Sequence, residues 1–402
     1  MTLPDTAASS RAARIPRTVW VLGAVSLFMD MSSELIHAVL PLYITTVMGL
    51  SVLAVGLIEG FAEATASMLK VVSGFVSDRF ARRKPLALLG YGLAALTKPM
   101  FPLADTAVGV VAARVIDRVG KGIRGAPRDA MVADVTPPHL RDAAYGLRQS
   151  LDTVGAFAGP LLAMLFLWLW NGDLRQVLWI ASVPAFIALA LLAFGVQEPP
   201  AAAPVKRTAA LQLAAISRLP RAFWWLIALT AVFSLARLSE AFLVLRAQEL
   251  QFGVVWIPLV MVVMSVVYSM SSYPAGLLAA RFGRWTLLGA SLLALVAAEL
   301  ALAMWPGAAG LWCGVALWGL HMGLSQGGLS AAVAEFAPAD IRATAFGLFH
   351  FVTGVFQLAS GALGGWLWMH WGSSVAFLAG ACWGAVACAA LLMRGAAWQR
   401  RR

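Results

Sequence analysis

The chain has 402 residues, 61% of them hydrophobic and only 12% charged, with 30 basic against 19 acidic side chains. A water-soluble domain of this length needs more polar residues than that to cover its surface, so the composition specifies a polytopic α-helical membrane protein. The net charge of +11 would suit a nucleic-acid partner, but the basic residues gather in alternate loops, as the positive-inside rule requires, and no nucleic acid is implied.

In chain order, the polar start MTLPDTAASSRAARIPR runs into an apolar segment too long for the core of a cleavable signal. Hydropathy and turn residues predict twelve membrane helices. They lie at 18–47, 52–77, 85–104, 107–133, 143–170, 175–195, 222–246, 254–279, 285–305, 308–334, 343–370 and 374–394. Each has about 20–30 residues, as a tilted crossing needs. Arg11, Arg14 and Arg17 precede the first helix, Arg79, Arg82, Arg83 and Lys84 follow the second, and Arg400, Arg401 and Arg402 close the chain. Both termini are therefore expected in the cytoplasm, here that of a bacterium whose inner membrane holds the protein. Cys313, Cys382 and Cys388 fall inside predicted helices without C-x-x-C spacing, so neither a disulfide framework nor a structural metal is implied.

The two halves repeat each other. AMVADVTPPHLRDAAYGL (130–147) aligns with AAVAEFAPADIRATAFGL (331–348) at an offset of 201, pairing Asp134 with Glu335 and Arg141 with Arg342. GFVSDRFARRK (74–84) aligns with GLLAARFGRWT (276–286) at an offset of 202. The organisation read from this is a six-helix bundle over 1–196, a Pro- and Ala-rich cytoplasmic linker over 197–221, and a second six-helix bundle over 222–402. Parallel duplication of this kind places a binding site between the halves, near the bilayer midplane.

On these residues the chain resembles the major facilitator superfamily. GFVSDRFARRK is similar to that family's loop signature, with Ala81 at its second glycine, and RVGKGIRGA (118–126) resembles its fourth-helix pattern. GAFAGPLLA (155–163) resembles the fifth-helix antiporter pattern through Gly155, Gly159 and Pro160, with Ala163 at the last glycine. The resemblance covers essentially the whole chain. It implies two six-helix bundles related by a pseudo-two-fold axis, alternating access, and a tendency toward proton-driven export. It also implies that Gly74, Asp78, Arg79, Arg82 and Arg83 set the balance between inward- and outward-facing states, with Arg128, Asp134, Arg141 and Arg342 joining that gate.

The densest charge lies in the fourth helix: Arg114, Asp117, Arg118, Lys121, Arg124, Arg128 and Asp129. At about 100° per residue they occupy roughly 140° of the helix, so they share one face. A charge at the bilayer centre costs about 2.5–3.5 kcal/mol, so this face is expected to look into the bundle or a wet cavity. The first half supplies partners: Asp30, Glu34 and His37 on helix one, Glu59, Glu63 and Lys70 on helix two, and Arg148 and Asp152 on helix five. Seven acids then meet seven bases, which argues against a simple anion pore. The repeat is an internal control, since Asp117, Arg118, Lys121 and Arg124 become Trp318, Gly319, Met322 and Ser325 in the second half. The fold does not demand the charges.

Asp30 and Glu34, with Asp117 and Arg118 beside them, are therefore the expected proton-coupling residues, because intramembrane acids serve proton relays. Glu34 ranks first for its counterpart Glu240 in helix seven. Glu240, His321, Gln326, His350 and Gln357 are expected to line the second half of the cavity. Static ion pairing is the plain alternative for the acids.

With no nucleotide-binding or hydrolase motif, the chain reads as no enzyme, needs no cofactor beyond a proton gradient, and works as a monomer in the lipid bilayer on a small-molecule substrate. The function expected is proton-coupled export of that substrate. The alternatives are proton-coupled uptake, facilitated diffusion, export of a divalent metal held on the Asp30, Glu34 and His37 face, and a non-transporting receptor or scaffold. No metal ligands are assigned.

Overall fold

The computed structural model describes residues 15–80, 83–197, 213–325, 328–338 and 341–399, and among them there is no strand. The first half holds α1 (Arg17–Val47), α2 (Val52–Phe80), α3 (Arg83–Leu103), α4 (Ala107–Val135), α5 (Arg141–Leu169) and α6 (Leu174–Gly195). The second holds α7 (Arg221–Glu249), α8 (Leu259–Phe282), α9 (Arg284–Met304), α10 (Gly307–Ser325 and Gly328–Phe336), α11 (Arg342–Trp371) and α12 (Ser373–Gln399). Eleven of these are long and apolar enough to cross a bilayer. The exception is α4, which has the length, and whose charges alone set it apart.

Local chemistry explains the helix ends. Thr106 caps α4 by accepting from Gly109 N–H at 3.2 Å, and Asp173 caps α6 by accepting from Gln176 N–H at 3.0 Å. The turns after α8 and α11 use Gly283 and Gly372, with φ of 86° and 87°, a conformation that costs glycine nothing. Pro41 lies inside α1, and the last turn of that helix, Tyr43–Val47, widens to π geometry.

Helices in lipid gain little from hydrophobicity and associate by close packing, which small residues permit. In the first half α5 lies on α1 because Gly155 faces the backbone of Leu27, and a Cβ on Gly159 would sit 2.8 Å from Leu35 N. Between halves, α2 packs on α11: Gly56 meets Gly361 backbone to backbone, and a Cβ on Gly365 would sit 2.7 Å from the Leu53 Cα.

The apolar clusters show where the halves join. One large cluster ties Leu35, Tyr43 and Ile44 to Phe242, Leu245 and Trp318, so both halves share a core at the face away from the chain ends. At the face where α1 begins and α12 ends, each half keeps its own cluster, around Leu22 and Tyr91 in the first and around Phe223 and Phe349 in the second. The described halves thus share one apolar core at the far face and keep separate ones at the near face.

Several helices that the sequence reads as unbroken are interrupted: α3 at Lys98 and Pro99, α6 at Ala181 and, most widely, α7. A continuous span over 222–246 is expected, but α7 breaks between Ala236 and Ala241 into Arg221–Ala236 and Ala241–Glu249. Neither Pro nor Gly causes it. The Ser360 hydroxyl of α11 donates toward the carbonyls of Leu235 at 3.1 Å and Arg237 at 3.2 Å, taking up acceptors that an unbroken helix would satisfy.

Candidate functional site

A cavity of about 340 Å³ lies between the halves. Its wall carries six carboxyl groups, Asp30 and Glu34 from α1, Glu59 and Glu63 from α2, Asp152 from α5 and Glu240 from the break in α7. Against them stand His37 and two fixed cations, Lys121 and Arg237. A second cavity of about 270 Å³ shares Arg237, Tyr268, Met322 and Gln357 with the first and extends toward the near face. Its own wall is different, with Thr230, Ser234, Ser330 and Thr353 hydroxyls beside Phe233, Leu329 and Phe349. The combined space is acidic on the first-half side and neutral and apolar on the second.

The charged stripe of α4 sits mainly behind this wall, and only Lys121 reaches it. Arg114 donates to Glu59 Oε2 at 2.6 Å with both side chains 1% exposed, joining α4 to α2. Arg118 pairs with Glu63 at 3.0 Å. Asp117 accepts from Lys98 Nζ at 2.8 Å, and Lys98 also donates to Ser33 Oγ at 3.2 Å. Arg124 lies over the Tyr91 ring at 5.0 Å. Arg128 donates to Asp129 at 3.0 Å and to Ser26 at 3.2 Å, while Arg148 lies 3.6 Å from Asp152 and 3.7 Å from Asp129.

Sequence reasoning missed two members of this system. Lys98 adds an eighth base to the first half. It stands in TKPM, at the break in α3 before Pro99, where a Lys reads as the end of a helix. Arg237, which donates to Glu240 at 2.8 Å, was legible only as part of an ordinary helix face.

Around His37 three glutamates converge from three helices. Nδ1 lies 3.5 Å from Glu34 Oε2 and 3.9 Å from Glu240 Oε2, and Nε2 lies 3.5 Å from Glu59 Oε2. Asp30, one turn below Glu34, shares the cavity wall with Asp152. Among the described residues, Asp30 is the one cavity carboxyl with no Lys, Arg or His within 4 Å. No group of three or more His, Cys, Asp or Glu side chains among the described residues has the geometry to hold a metal ion.

Other expected site residues lie elsewhere. His321 is fully buried, its ring bonded to Ser291, and His350 packs against Phe346 and Phe349; neither borders the two cavities. Gln357 borders both. Lys70 is exposed, and Gln326 and Arg82 lie outside the described residues. Gly74, Asp78 and Arg79 are on the last turns of α2, where side-chain positions are outside the description. Arg141 and Arg342 are exposed at the near-face starts of α5 and α11.

Of the gate residues, Arg83 pairs with Asp134 at 2.9 Å. The second half repeats this contact, Arg284 to Glu335 at 2.7 Å, which places the repeat at an offset of 201 here too, one residue from the register read in the loop.

The Major Facilitator Superfamily model matches residues 22–360. The chain belongs to the major facilitator superfamily. It is 34% identical over 360 residues to an MFS-type transporter of Methanocaldococcus jannaschii, covering 88% of this chain and 89% of that one. It is 28% identical over 141 residues to the multidrug resistance protein MdtH of Yersinia enterocolitica, about a third of each chain (35% and 34%). Its fold matches the crystal structure of a point mutant of the nucleoside transporter NupG with a TM-score of 0.78 at 14% identity, covering 94% of this chain and 99% of that one. This facilitator is accordingly a multi-pass membrane transporter, with its cavity where the superfamily's two bundles meet.

Proposed function

We propose that this transporter exports a small molecule from the bacterial cytoplasm in exchange for protons, by alternating access, and that Asp30 is the coupling carboxyl. The observation that carries this reading is Asp30 itself, an acid on the cavity wall with no basic partner within 4 Å and the Asp152 carboxyl opposite. Two carboxyl groups so placed resist carrying two negative charges, and a single proton between them relieves the repulsion. Glu34 ranks first by sequence, but it approaches His37 at 3.5 Å and so is already engaged. Resemblance to multidrug resistance proteins over a third of the chain supports export.

In the cycle, substrate enters at the near face and occupies the cavity while the carboxyl pair gives up its proton. Closure of the near face and opening of the far one expose the pair to the other side, where it is reprotonated and the substrate leaves. The fifth-helix glycines serve this directly, since the close approach of α5 to α1 at Gly155 and Gly159 brings Asp152 to Asp30.

The test is proton release from acidified everted vesicles, followed with an acridine dye across organic cations, organic anions, neutral drugs and divalent metals. Substrate-driven dequenching that is lost in Asp30→Asn and retained in Glu34→Gln is the expected result. Dequenching that survives Asp30→Asn would remove Asp30 from the coupling role.

A further inference from the structure

Around Asp152 four charged side chains close a ring between α4 and α5. Arg128 lies 3.0 Å from Asp129 Oδ1 and 3.9 Å from Asp152 Oδ1, and Arg148 lies 3.7 and 3.6 Å from the same two oxygens. Each guanidinium therefore meets both carboxylates, and the four charges cancel. Arg128 also donates to Ser26 of α1, one turn from Asp30 on that helix.

The contacts at Asp152 are ionic without being hydrogen bonds. Its Oδ1 makes no hydrogen bond, and neither do Nε and Nη1 of Arg148, although all three atoms are buried. Coulomb attraction falls only inversely with distance. At 3.6 and 3.9 Å it keeps about three quarters of its value at the 2.8 Å of the Lys98–Asp117 pair. A directional hydrogen bond is gone at that range. The arginines thus match the charge of Asp152 without fastening its carboxylate. Asp30 shares the cavity wall with Asp152 but has no such match, with no Lys, Arg or His within 4 Å among the described residues.

The fold does not require the ring. At the repeat offset of 201, Arg128, Asp129, Arg148 and Asp152 become Leu329, Ser330, Phe349 and Thr353. All four counterparts line the second cavity, so the second half builds the same corner without charge.

We infer that Arg148 and Arg128 decide which of the two cavity acids carries the proton: they hold Asp152 as a fixed anion and leave the proton to Asp30. Both are positioning residues, acting through Asp152. The inference rests on the coupling reading above and adds what makes its two carboxyl groups unequal. Two like acids on one wall share a proton, and guanidinium groups beside only one of them break the tie. Of the other groups on that wall, Lys121 of α4 and Arg237 of α7 lie beyond 4 Å from both aspartates among the described residues, and Tyr268 of α8 is an uncharged phenol.

Infrared spectroscopy of purified protein in a maltoside detergent tests this with no substrate and no gradient. A protonated carboxyl has a C=O stretch clear of the amide bands, and the stretch shifts in D2O. Glu299, fully buried with both oxygens unpartnered, is removed from the spectrum by Glu299→Gln in every variant. At neutral pH, Asp30→Asn should abolish the carboxyl band that remains. Adding either Arg148→Gln or Arg128→Gln to Asp30→Asn should bring a band back, and further Asp152→Asn should remove it. Arg148→Lys keeps the charge, so with Asp30→Asn it should show no band. A band that survives Asp30→Asn alone would overturn the inference, as would its failure to return in both folded arginine-to-glutamine variants. Vesicle assays separate this from the coupling reading. Bands that behave as expected without substrate-driven proton movement would sink that reading alone. Proton movement that needs Asp30, with no band returning in the arginine variants, would sink the inference alone.

Discussion

Lys98 Nζ and Asp117 Oδ1 meet at 2.8 Å with side chains only 1% and 3% exposed, tying the break of α3 to the charged face of α4 behind the cavity wall. Such a pair is costly to bury and costlier to break. Removing one partner strands a charge in low dielectric, whereas replacing both with apolar residues of like volume can be neutral. Lys98→Ala should therefore destabilise the protein by about 3–5 kcal/mol, and Lys98→Met with Asp117→Leu should recover most of it. Thermal unfolding in detergent reads both. If the double variant is as stable as the parent and transports normally, Asp117 has no coupling role.

That pair also shows what could and could not be seen in the sequence. The twelve helices, the duplication and the shared face of the α4 charges follow from apolar runs and a 3.6-residue period, which are local properties. Which charges reach the cavity is not local. It depends on how the neighbouring helices pack on α4: α2 and α3 take Arg114, Asp117, Arg118 and Arg124, α1 and α5 meet Arg128 and Asp129, and Lys121 is left to the cavity. A charge count of the first half gives near-neutrality, yet the wall is acidic because Arg114 and Arg118 point into helix contacts while their partners Glu59 and Glu63 border the cavity, and Arg124 is turned onto the Tyr91 ring. The α7 break had no Pro or Gly to announce it, since the group that accommodates it, Ser360, is more than a hundred residues away.

The shared core at the far face makes a second prediction. Thr45 Oγ1 of α1 donates to Gln248 Oε1 of α7 at 3.1 Å, across the two halves. In a variant with Cys313, Cys382 and Cys388 replaced by Ser, cysteines at Thr45 and Gln248 should cross-link under mild oxidant. The cross-link should abolish transport and leave substrate binding from the near face within about threefold, and reductant should restore transport. Retained transport by fully cross-linked protein would show that this face does not open.

Close packing at the fifth-helix motif makes a third. A Cβ on Gly159 would sit 2.8 Å from Leu35 N, too near for the backbone of α1 to stay in place. Gly159→Ala should cost about 1–3 kcal/mol, the usual range for overpacking. By moving α5 from α1 it should also weaken proton release more than substrate binding, because Asp152 is carried away from Asp30. Ala163 of the same motif is already buried at the last glycine position, so Ala163→Gly should leave coupling unchanged. Parallel vesicle and binding assays on the two variants distinguish a coupling effect from simple loss of protein.

The joint in α7 makes the last. Ser360 supplies one hydroxyl shared between two carbonyls of the broken helix, and a lost hydrogen bond of this kind costs about 0.5–1.5 kcal/mol, with more if the acceptors are left dry. Ser360→Ala should therefore lower stability by about that amount, while Ser360→Thr keeps the hydroxyl and most of the stability. The functional effect should exceed the stability effect. Glu240 begins the helix that follows the break, and its carboxylate is placed only as well as the break is fixed, with Arg237 as its companion at 2.8 Å. Loosening the joint spreads Glu240 over several positions on the cavity wall, so Ser360→Ala should slow substrate-driven proton release several-fold. If Ser360→Ala releases protons at the parental rate at reduced stability, the break is a structural accommodation, and Glu240 is positioned by Arg237 alone.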